Sequence, residues 1–292
     1  MNQKNNRKLI YFVLLAFFLL GIILSVIILY PQKNELTVVF LDVGQGDSIL
    51  ISEGDQQILI DGGKDGKILL EKLGKYVPFW DRKIETIIET HPDADHIGGL
   101  IDVLGAYNVD SVIETKMQND SQTFKKLESL IVENRINKIE AKQSLIIRFD
   151  SGAVAEVIYP FQSVDDVNNK DTNKYSVVVK LTFGSNKFLF TGDLPTEQEN
   201  ELLAKNIDIE AQFLKIAHHG SKYASGNEFL AAAKPLDAII SVGKNNSYGH
   251  PNQEVLQRLK NHKINIFRTD ELGDIVYRCQ RAKDMCQRLT SF

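Results

Sequence analysis

The segment ETHPDADHIGG, residues 89–99, concentrates two histidines and two aspartates in six consecutive positions. Its proline biases the preceding residue away from the helical region, so we expect an extended segment in which residues two apart share a face. His91, Asp93 and Asp95 then converge, and His96 adds a second direction of coordination. Carboxylates held this close raise one another's pKa unless a cation neutralises them. The segment therefore indicates a divalent metal site rather than a solvated acidic turn.

Four side chains on one turn cannot surround an ion, so further ligands have to come from other parts of the chain. Asp193 ends the apolar run FLFTGD, His218 and His219 end FLKIAHH, and His250 lies in YGHP. Taken singly, these are ordinary turn, core and loop residues. Together, five of the six histidines lie at strand ends or in loops, which favours one metal centre, and His262 is left as a surface residue.

Residues 9–30 form an apolar run of 22 residues without a charge, which is long enough to span a bilayer. A cleavable signal peptide would have a hydrophobic region of roughly 7 to 15 residues followed by a small-x-small site. Basic residues at 4, 7 and 8 precede the run, and basic flanks stay in the cytoplasm. We therefore expect a single-pass membrane anchor with residues 1–8 in the cytoplasm, a linker at 31–35, and residues 36–292 outside the cell membrane.

The exported part is acidic. Residues 1–35 carry a net charge of +3, so the total of −4 leaves −7 on residues 36–292. Such a surface repels phosphate backbones, so the sequence predicts no basic nucleic-acid-binding face, and any phosphate recognition has to be local.

The two cysteines, Cys279 and Cys286, form no zinc-binding pattern. In an oxidising exterior they would close a small disulfide loop, and two surface thiols fit the sequence equally well.

Strand and helix patterns alternate in two mixed halves, which predicts a layered α/β sandwich with sheets at its centre. Residues 162–174 are polar and predict a surface loop between the halves. The predicted strands are ELTVVFLDV, SILIS, QILID, KIETII, SLIIRF, AVAEVIYP, YSVVVKLTF, NKFLFTGD and AQFLKIAHHG. The predicted helices are GKILLEKLGKY, SQTFKKLESLIVEN, PTEQENELLAKN and NQEVLQRLKN.

Several motifs in series resemble the metallo-β-lactamase-fold hydrolases, and within them the exported hydrolase domain of the ComEC family of DNA-uptake (competence) proteins. The resemblance covers nearly all of residues 36–280 and implies an αββα sandwich with metals at one edge between the two halves. The motifs are FLDVGQGDSILI (40–51), LIDGG (59–63), THPDADHIGG (90–99), FTGD (190–193), HHGS (218–221), YGHP (248–251) and RTDELGDI (268–275).

The resemblance implies two divalent metal ions bridged by Asp193. It implies ligands for one ion at His91, Asp93 and Asp193, and for the other at Asp95, His96, His218 and Asp193. Asp61 would brace the metal loop from outside the ligand set. His250 or His219 would serve the leaving oxygen, and Ser221 and Lys222 would contact the phosphate.

The sequence departs from most of the superfamily in the ligand set. Asp93 stands where most members have a second histidine, and no histidine occurs between 97 and 217. ComEC-like domains resemble this sequence in having aspartate there, and we expect Asn173 and Ser176 to occupy the vacated space. An oxygen-rich site favours manganese over zinc, although either ion fits. The chain also lacks the many membrane spans of a full ComEC channel, so only the hydrolase domain is carried over.

Three functions follow as hypotheses. The first is a membrane-anchored extracellular phosphodiesterase, including a nuclease acting on single-stranded DNA. The second keeps the chemistry but takes a cell-wall phosphodiester, such as phosphocholine on teichoic acid. The third is a non-catalytic surface binding module with a structural metal centre.

Overall fold

The computed structural model describes residues 3–29, 35–150, 152–164, 171–280 and 285–290. The chain divides into two compact units, Met1–Lys33 and Asn34–Phe292. The central part of the predicted loop, residues 165–170, and most of the predicted linker lie outside the described residues.

The first unit is a single helix, α1 (Gln3–Leu29). Its segment Arg7–Ser25 is long and apolar enough to cross a membrane, judged by length and composition. The helix begins at Gln3, so most of the predicted tail is helical as well. At 1.5 Å per residue, its 27 residues extend about 40 Å, which exceeds the hydrocarbon thickness of a bilayer.

The second unit is built on two sheets, and its first strand begins at Glu35, the residue predicted to end the linker. In chain order, its strands are β1 (Glu35–Phe40), β2 (Ile49–Glu53), β3 (Gln56–Ile60), β4 (Lys83–Ile88), β5 (Asn108–Glu114), β6 (Asn137–Glu140), β7 (Ile146–Arg148), β8 (Val154–Tyr159), β9 (Val178–Phe183), β10 (Asn186–Phe190), β11 (Phe213–Lys215), β12 (Asp237–Ile240), β13 (Asn265–Arg268), β14 (Ile275–Gln280) and β15 (Gln287–Leu289).

The two sheets are mixed, and each has a parallel half. Within the described residues, the first sheet has the order β15-β14-β1-β2-β3-β4-β5-β6, and the second has the order β13-β12-β11-β10-β9-β8-β7. Strands β3 to β6 run parallel to one another, as do β10 to β13. In sheets of this type, ligands bind beyond the carboxyl ends of the parallel strands, so each sheet offers one such edge.

The helices of this unit are α2 (Gly66–Tyr76), α3 (Ala94–Ile97), α4 (Leu100–Ala106), α5 (Gln122–Glu133), α6 (Thr196–Ala204), α7 (Asn227–Ala233), α8 (Gln253–Asn261) and α9 (Thr269–Leu272). The first sheet packs its outer face on α2, α4 and α5, and the second packs its outer face on α6, α7 and α8. A third apolar cluster lies between the sheets. The helix–sheet–sheet–helix order confirms the predicted αββα sandwich.

The alternation of side chains along β1 shows how one strand serves two of these cores. Leu36, Val38 and Phe40 face the cluster between the sheets, whereas Val39 and the following Leu41 face the helices. Successive side chains of a strand point to opposite faces, so a strand buried on both sides reads as a nearly continuous apolar run. The predicted β4 and α2 have the same bounds in the structure as in the sequence pattern.

Two features differ from the pattern of the sequence. The run AQFLKIAHHG was predicted as one strand, but β11 ends at Lys215, and a 3-10 turn, Ala217–Gly220, follows it. The C-terminal β14 also returns to the first sheet and pairs with β1 in antiparallel register. Strands β14 and β15 therefore place the end of the chain in the half where the domain begins.

Cys279 and Cys286 form a disulfide, and both residues are buried. Cys279 lies on β14 against the core between the sheets, while the Cys286 N–H donates to Asn186 Oδ1 at 2.7 Å. The disulfide therefore closes the β14–β15 hairpin, and the hydrogen bond of Cys286 ties this hairpin to Asn186, the first residue of β10.

We predict that replacing both cysteines with alanine lowers the free energy of unfolding by about 2 to 3 kcal/mol, because the cross-link no longer restricts the unfolded chain. Chemical denaturation of the full chain in detergent micelles, followed by circular dichroism, measures this change. Reducing the wild-type chain with dithiothreitol should produce the same loss. A reduced wild type as stable as the oxidised one would contradict the prediction.

Candidate metal centre

The ETHPDADHIGG segment follows the carboxyl end of β4 and turns into the short helix α3. Asp93 is extended, but Asp95 and His96 lie within α3, so the expectation of an extended segment through Asp95 is wrong. The helical turn places the His91 and His96 rings 4.1 Å apart, with both rings buried. The side chains of Asp93 and Asp95 remain partly exposed.

Asp61 fixes the orientation of these two imidazoles. Its Oδ2 lies 2.7 Å from His96 Nδ1 and accepts a hydrogen bond from Thr90 Oγ1, also at 2.7 Å. Because that hydroxyl hydrogen points to Asp61, the Thr90 oxygen is left to accept from His91 Nδ1, 3.0 Å away. Both Nδ1 atoms therefore donate, and the Nε2 atom of each ring is turned away from Asp61. Asp61 thus contacts His96 and Thr90, and its predicted role in bracing the metal loop stays a prediction.

Asp193 follows β10 and lies at the centre of the remaining groups. Its Oδ2 is 3.5 Å from Nε2 of His96 and 3.5 Å from Nε2 of His219. Its backbone N–H donates to Ser176 Oγ, 3.2 Å away, which gives this predicted residue a contact at the centre. Burial raises the pKa of the Asp193 carboxyl, but the charges of His219 and His96 outweigh burial and hold the pKa well below its usual value.

His218 and His219 both reach Asp193 because the turn that carries them has an uncommon backbone. The φ angles of the two residues are 51° and 52°, in the left-handed region that non-glycine residues seldom adopt. His219 is buried, and its Nδ1 donates to the Ser241 carbonyl at 2.9 Å. His218 is partly exposed, with Nε2 at 3.8 Å from Asp193 Oδ2. Strain of this kind persists where the surrounding structure holds a functional group in place.

The buried atoms without partners give a test of whether a metal fits. Among the described residues, Nε2 of His91, His96 and His219 and Oδ1 of Asp193 are buried and accept no hydrogen bond. An unpaired buried acceptor is costly, whereas three imidazole nitrogens and a carboxylate are ordinary ligands of divalent metals. The donor set therefore fits a metal ion.

Four groups of three ligand atoms lie within 4.8 Å of one another. His96 takes part in three of them, so the clusters share one centre. The groups are His91, His96 and Asp193; Asp95, His96 and His219; Asp47, Asp61 and His96; and Asp47, Asp193 and His219.

Two of the six predicted ligands lie outside these clusters. Asp93 is outside the clusters, and its Oδ1 accepts a hydrogen bond from Thr172 Oγ1 at 2.6 Å while its Oδ2 lies 3.7 Å from His91 Nε2. His218 is also outside them, whereas His219, to which a role at the leaving oxygen was assigned, is inside. The structure thus favours His219 over His218 as the ligand from this turn.

Two residues of the centre escaped the sequence reasoning, Asp47 and Lys215. Lys215 is fully buried, forms an ion pair with Asp47, and lies 3.8 Å from Asp193 Oδ1. The sequence contained a signal for each residue. Asp47 ends GQGD, which follows β1 within one of the motifs that carry the family resemblance, and Lys215 interrupts an apolar run. Gly46 allows this loop to approach, because a Cβ there would lie 1.8 Å from the Asp95 carbonyl oxygen.

The other predicted residues lie around the opening of the centre. Asn173 Nδ2 is 3.4 Å from His218 Nδ1, so it occupies space beside that histidine. His250 has its ring 5.7 Å from the His218 ring, and burial lowers its pKa. Ser221 is buried with its N–H donating to the His218 carbonyl. Lys222 is exposed, with Nζ 5.1 Å from the ring centroid of Tyr223.

The loop that carries Ser221 and Lys222 is held by a buried carboxylate on α6. Glu199 accepts hydrogen bonds from the backbone N–H groups of Ser225 and Gly226, at 2.5 and 2.9 Å. Arg258 donates to the carbonyl oxygens of the same loop. Burial raises the pKa of Glu199 to about 7, even though these N–H groups favour its charged form.

Comparison with known proteins gives a consistent result. Residues 41–244 match the model of the Metallo-beta-lactamase superfamily. The chain is 32% identical over 274 residues to ComE operon protein 3 of Bacillus subtilis (strain 168), covering 88% of this chain and 35% of that protein. It is 29% identical over 267 residues to competence protein ComA of Neisseria gonorrhoeae, covering 88% and 34%.

The chain thus spans about a third of the length of these curated relatives. Among solved structures, the metallo-beta-lactamase fold protein YhfI from Bacillus subtilis matches with a TM-score of 0.56 at 12% identity, over 84% of this chain and 100% of that one. At that identity the likeness concerns the fold alone. These findings confirm the resemblance predicted from the motifs.

We predict that His219→Ala weakens metal binding by more than the about 10- to 100-fold that loss of an outer partner costs. His218→Ala should weaken it less, because its Nε2 lies farther from Asp193 and its side chain is partly exposed. Competition with a chelating dye measures both affinities in the full chain. His262→Ala, at an exposed helix end, serves as the matched control. If His218→Ala weakened metal binding more than His219→Ala, His218 rather than His219 would be the ligand from this turn.

A second prediction concerns the pH dependence of stability. Because the folded chain raises the pKa of Glu199 from 4.5 to about 7, its protonated form stabilises the fold, and this contribution is lost as the pH rises through about 7. Glu199→Gln removes that loss, so the variant's free energy of unfolding relative to wild type should rise by about 2 to 3 kcal/mol between pH 5 and pH 8. Denaturation at both pH values measures it. The same change at the exposed Glu71 should leave the difference constant, and a constant difference for Glu199→Gln would refute the argument.

Proposed function

This chain belongs to the metallo-beta-lactamase superfamily, and from that premise we propose that it is a membrane-anchored extracellular phosphodiesterase that uses two divalent metal ions to cleave single-stranded DNA. The observation that carries the proposal is the convergence of three buried imidazole Nε2 atoms without partners on the carboxylate of Asp193. A binding module with a single structural ion would have little use for additional carboxylates at the opening of the same cluster, such as Asp93 and Asp95.

The number and type of ligands support a pair of ions rather than one. His96 and Asp193 are each shared between groups, and different partners complete each group. Asp47, Asp95 and Asp193 make the donor set rich in oxygen, which favours manganese over zinc. When bound, such ions supply a water-derived nucleophile near neutral pH and stabilise the charge that develops on a phosphoryl oxygen.

The side chains of the protein set the geometry for that chemistry. Asp61, Thr90 and the Ser241 carbonyl hold the Nδ1 atoms of the three histidines, so each Nε2 faces the reacting centre before substrate arrives. His250 stays neutral at pH 7 because burial lowers its pKa, so it donates a hydrogen bond to the leaving oxygen instead of carrying a full charge. Its backbone is held by Asn246, whose side chain bonds both the N–H and the carbonyl oxygen of His250.

The substrate class is proposed from charge and from relatives. Two divalent ions would bring about +4 of charge to one spot, which offsets the acidic surface locally. The similarity to competence proteins, among them ComA of Neisseria gonorrhoeae, supports a DNA-related substrate. Because the chain spans about a third of those relatives, only hydrolysis is carried over from them.

The topology is part of the same proposal. Lys4, Arg7 and Lys8 place the amino terminus in the cytoplasm by the positive-inside rule, so residues 36–292 form the extracellular hydrolase domain. The disulfide between Cys279 and Cys286 supports this assignment, since such bonds persist in oxidising compartments.

We predict that the full chain, purified in detergent micelles with manganese, releases nucleotides from single-stranded DNA. Asp193→Asn should lower the rate at least about 100-fold, the scale on which loss of one charge-stabilising group slows a reaction. Chelation should abolish the wild-type rate, and added manganese should restore it. Asp120→Asn, at a fully exposed carboxylate, is the matched control and should keep the full rate.

Other substrates separate the alternatives. A wild type that binds metal and cleaves nitrophenyl phosphocholine but not DNA would replace the nuclease with a cell-wall phosphodiesterase. If wild type binds metal but cleaves neither of these substrates nor bis-nitrophenyl phosphate, the non-catalytic binding module is the hypothesis that remains.

A further inference from the structure

A cavity of about 550 Å³ opens on the outer side of the second sheet. One wall is the segment that follows β8, the second is the 3-10 helix Thr172–Tyr175, and the third is α6. Cavities of about 300 to 1,000 Å³ are typical of small-molecule sites. The proposed chemistry gives this cavity no role.

Two of its walls continue directly from residues of the centre. In the 3-10 helix, Thr172 and Asn173 contact Asp93 and His218, and the next two residues line the cavity. Helix α6 begins three residues after Asp193 and contributes lining residues from its first two turns. A group bound in the cavity is therefore attached to the same short segments that hold the reacting phosphodiester.

Aromatic rings form much of the lining. Tyr159 and Phe161 meet edge to face with ring centroids 5.1 Å apart, and Tyr175 also lines the cavity. The Tyr159 hydroxyl donates to the Lys174 carbonyl at 2.8 Å, which fixes that ring. Fixed aromatic faces are the surfaces on which proteins stack the bases of single strands.

Gln198 supplies a polar group that points to a ligand. It lines the cavity, is 5% exposed, and its Oε1 is buried and accepts no hydrogen bond from the described residues. A buried amide oxygen without a donor is costly. Every nucleobase carries an N–H on its Watson–Crick edge, and that group would satisfy Gln198.

We propose that this cavity binds the nucleobase of a nucleotide next to the cleaved phosphodiester, stacking it on the aromatic rings and pairing its N–H with Gln198. The assignment rests on the proposed function and deepens it, because it names the side chains that would recognise an unpaired base of the strand. The fully paired bases of a duplex would have to leave the stack to enter.

The position of Lys205 argues against a choline headgroup as the occupant. Lys205 Nζ already lies 4.9 Å from the centroid of the Phe161 ring, at the position that a quaternary ammonium would take. Lys174 also lines the cavity and pairs with Glu197 at 3.3 Å. A neutral aromatic base carries no charge for the two lysines to repel.

The test measures binding without turnover. The full chain in detergent micelles, stripped of metal with a chelator, is titrated against labelled oligothymidylate and against an abasic strand of the same length, using fluorescence anisotropy. The variants are Phe161→Ala and Gln198→Leu. The matched control is Phe79→Ala, at an exposed phenylalanine that precedes the amino end of β4, the end opposite the metal loop.

We expect wild type to bind oligothymidylate at least about fivefold more tightly than the abasic strand, the least that stacking of one base contributes. Phe161→Ala and Gln198→Leu should each reduce this ratio and leave abasic binding unchanged, which also shows that both variants are folded. Phe79→Ala should keep the wild-type ratio. Equal binding of the two strands by wild type, or an unchanged ratio in both cavity variants, would overturn the proposal.

Two further outcomes are informative. If phosphocholine displaces oligothymidylate from wild type but not from Phe161→Ala, the cavity binds choline. The proposal that it binds a nucleobase is then refuted. The binding assay measures no cleavage, so the two proposals can fail separately. If the chain prefers the strand with bases but a separate assay finds no phosphodiester hydrolysis, only the proposed function is refuted. If the chain hydrolyses both strands at equal rates and binds them with equal affinity, only the proposed role of the cavity is refuted.

Discussion

The hydrogen bonds at Nδ1 of three buried histidines are the constraint on which the rest of the site depends. Asp61 and Thr90 hold His96 and His91, and a carbonyl at the end of β12 holds His219. Each partner accepts, so each ring keeps a proton on Nδ1 and turns its Nε2 towards the other ligands. If one ring turned over, it would direct an N–H at the other rings and at Asp193. A cation site exists only while all three bonds are made.

The sandwich brings these rings together because the parallel halves of its two sheets end at the same place. The metal loop follows β4 of one sheet, while Asp193 and His219 follow β10 and β11 of the other. A backbone hydrogen bond from Val177 N–H to the Thr90 carbonyl joins the two halves at this point. Position beyond parallel strand ends thus explains why ligands separated by more than a hundred residues meet.

That same logic decides what the sequence could predict. His91, His96 and Asp193 follow apolar runs whose length marks the end of a strand, so their meeting was foreseeable. The order of His218 and His219 was not, because two consecutive left-handed residues reverse the expected directions of their side chains. Lys215 was read as part of a buried strand, and its role depends on Asp47, which is 168 positions earlier in the chain. Pairing of β14 with β1 is likewise non-local and has no signature within either strand.

Buried charge links the stability of this site to its use. Asp47, Asp61 and Asp193 are all buried, and Lys215 and the imidazoles compensate them. Burial lowers the pKa of His219, but the charges of Asp193 and Asp47 outweigh burial and raise it to about 9. A cation that binds there therefore has to displace a proton, so the affinity of the site depends on how strongly the carboxylates hold that proton. Lys215 pairs with the same two carboxylates as His219, so it weakens their attraction for that proton. A chain without Lys215 would bind both the proton and a cation more tightly.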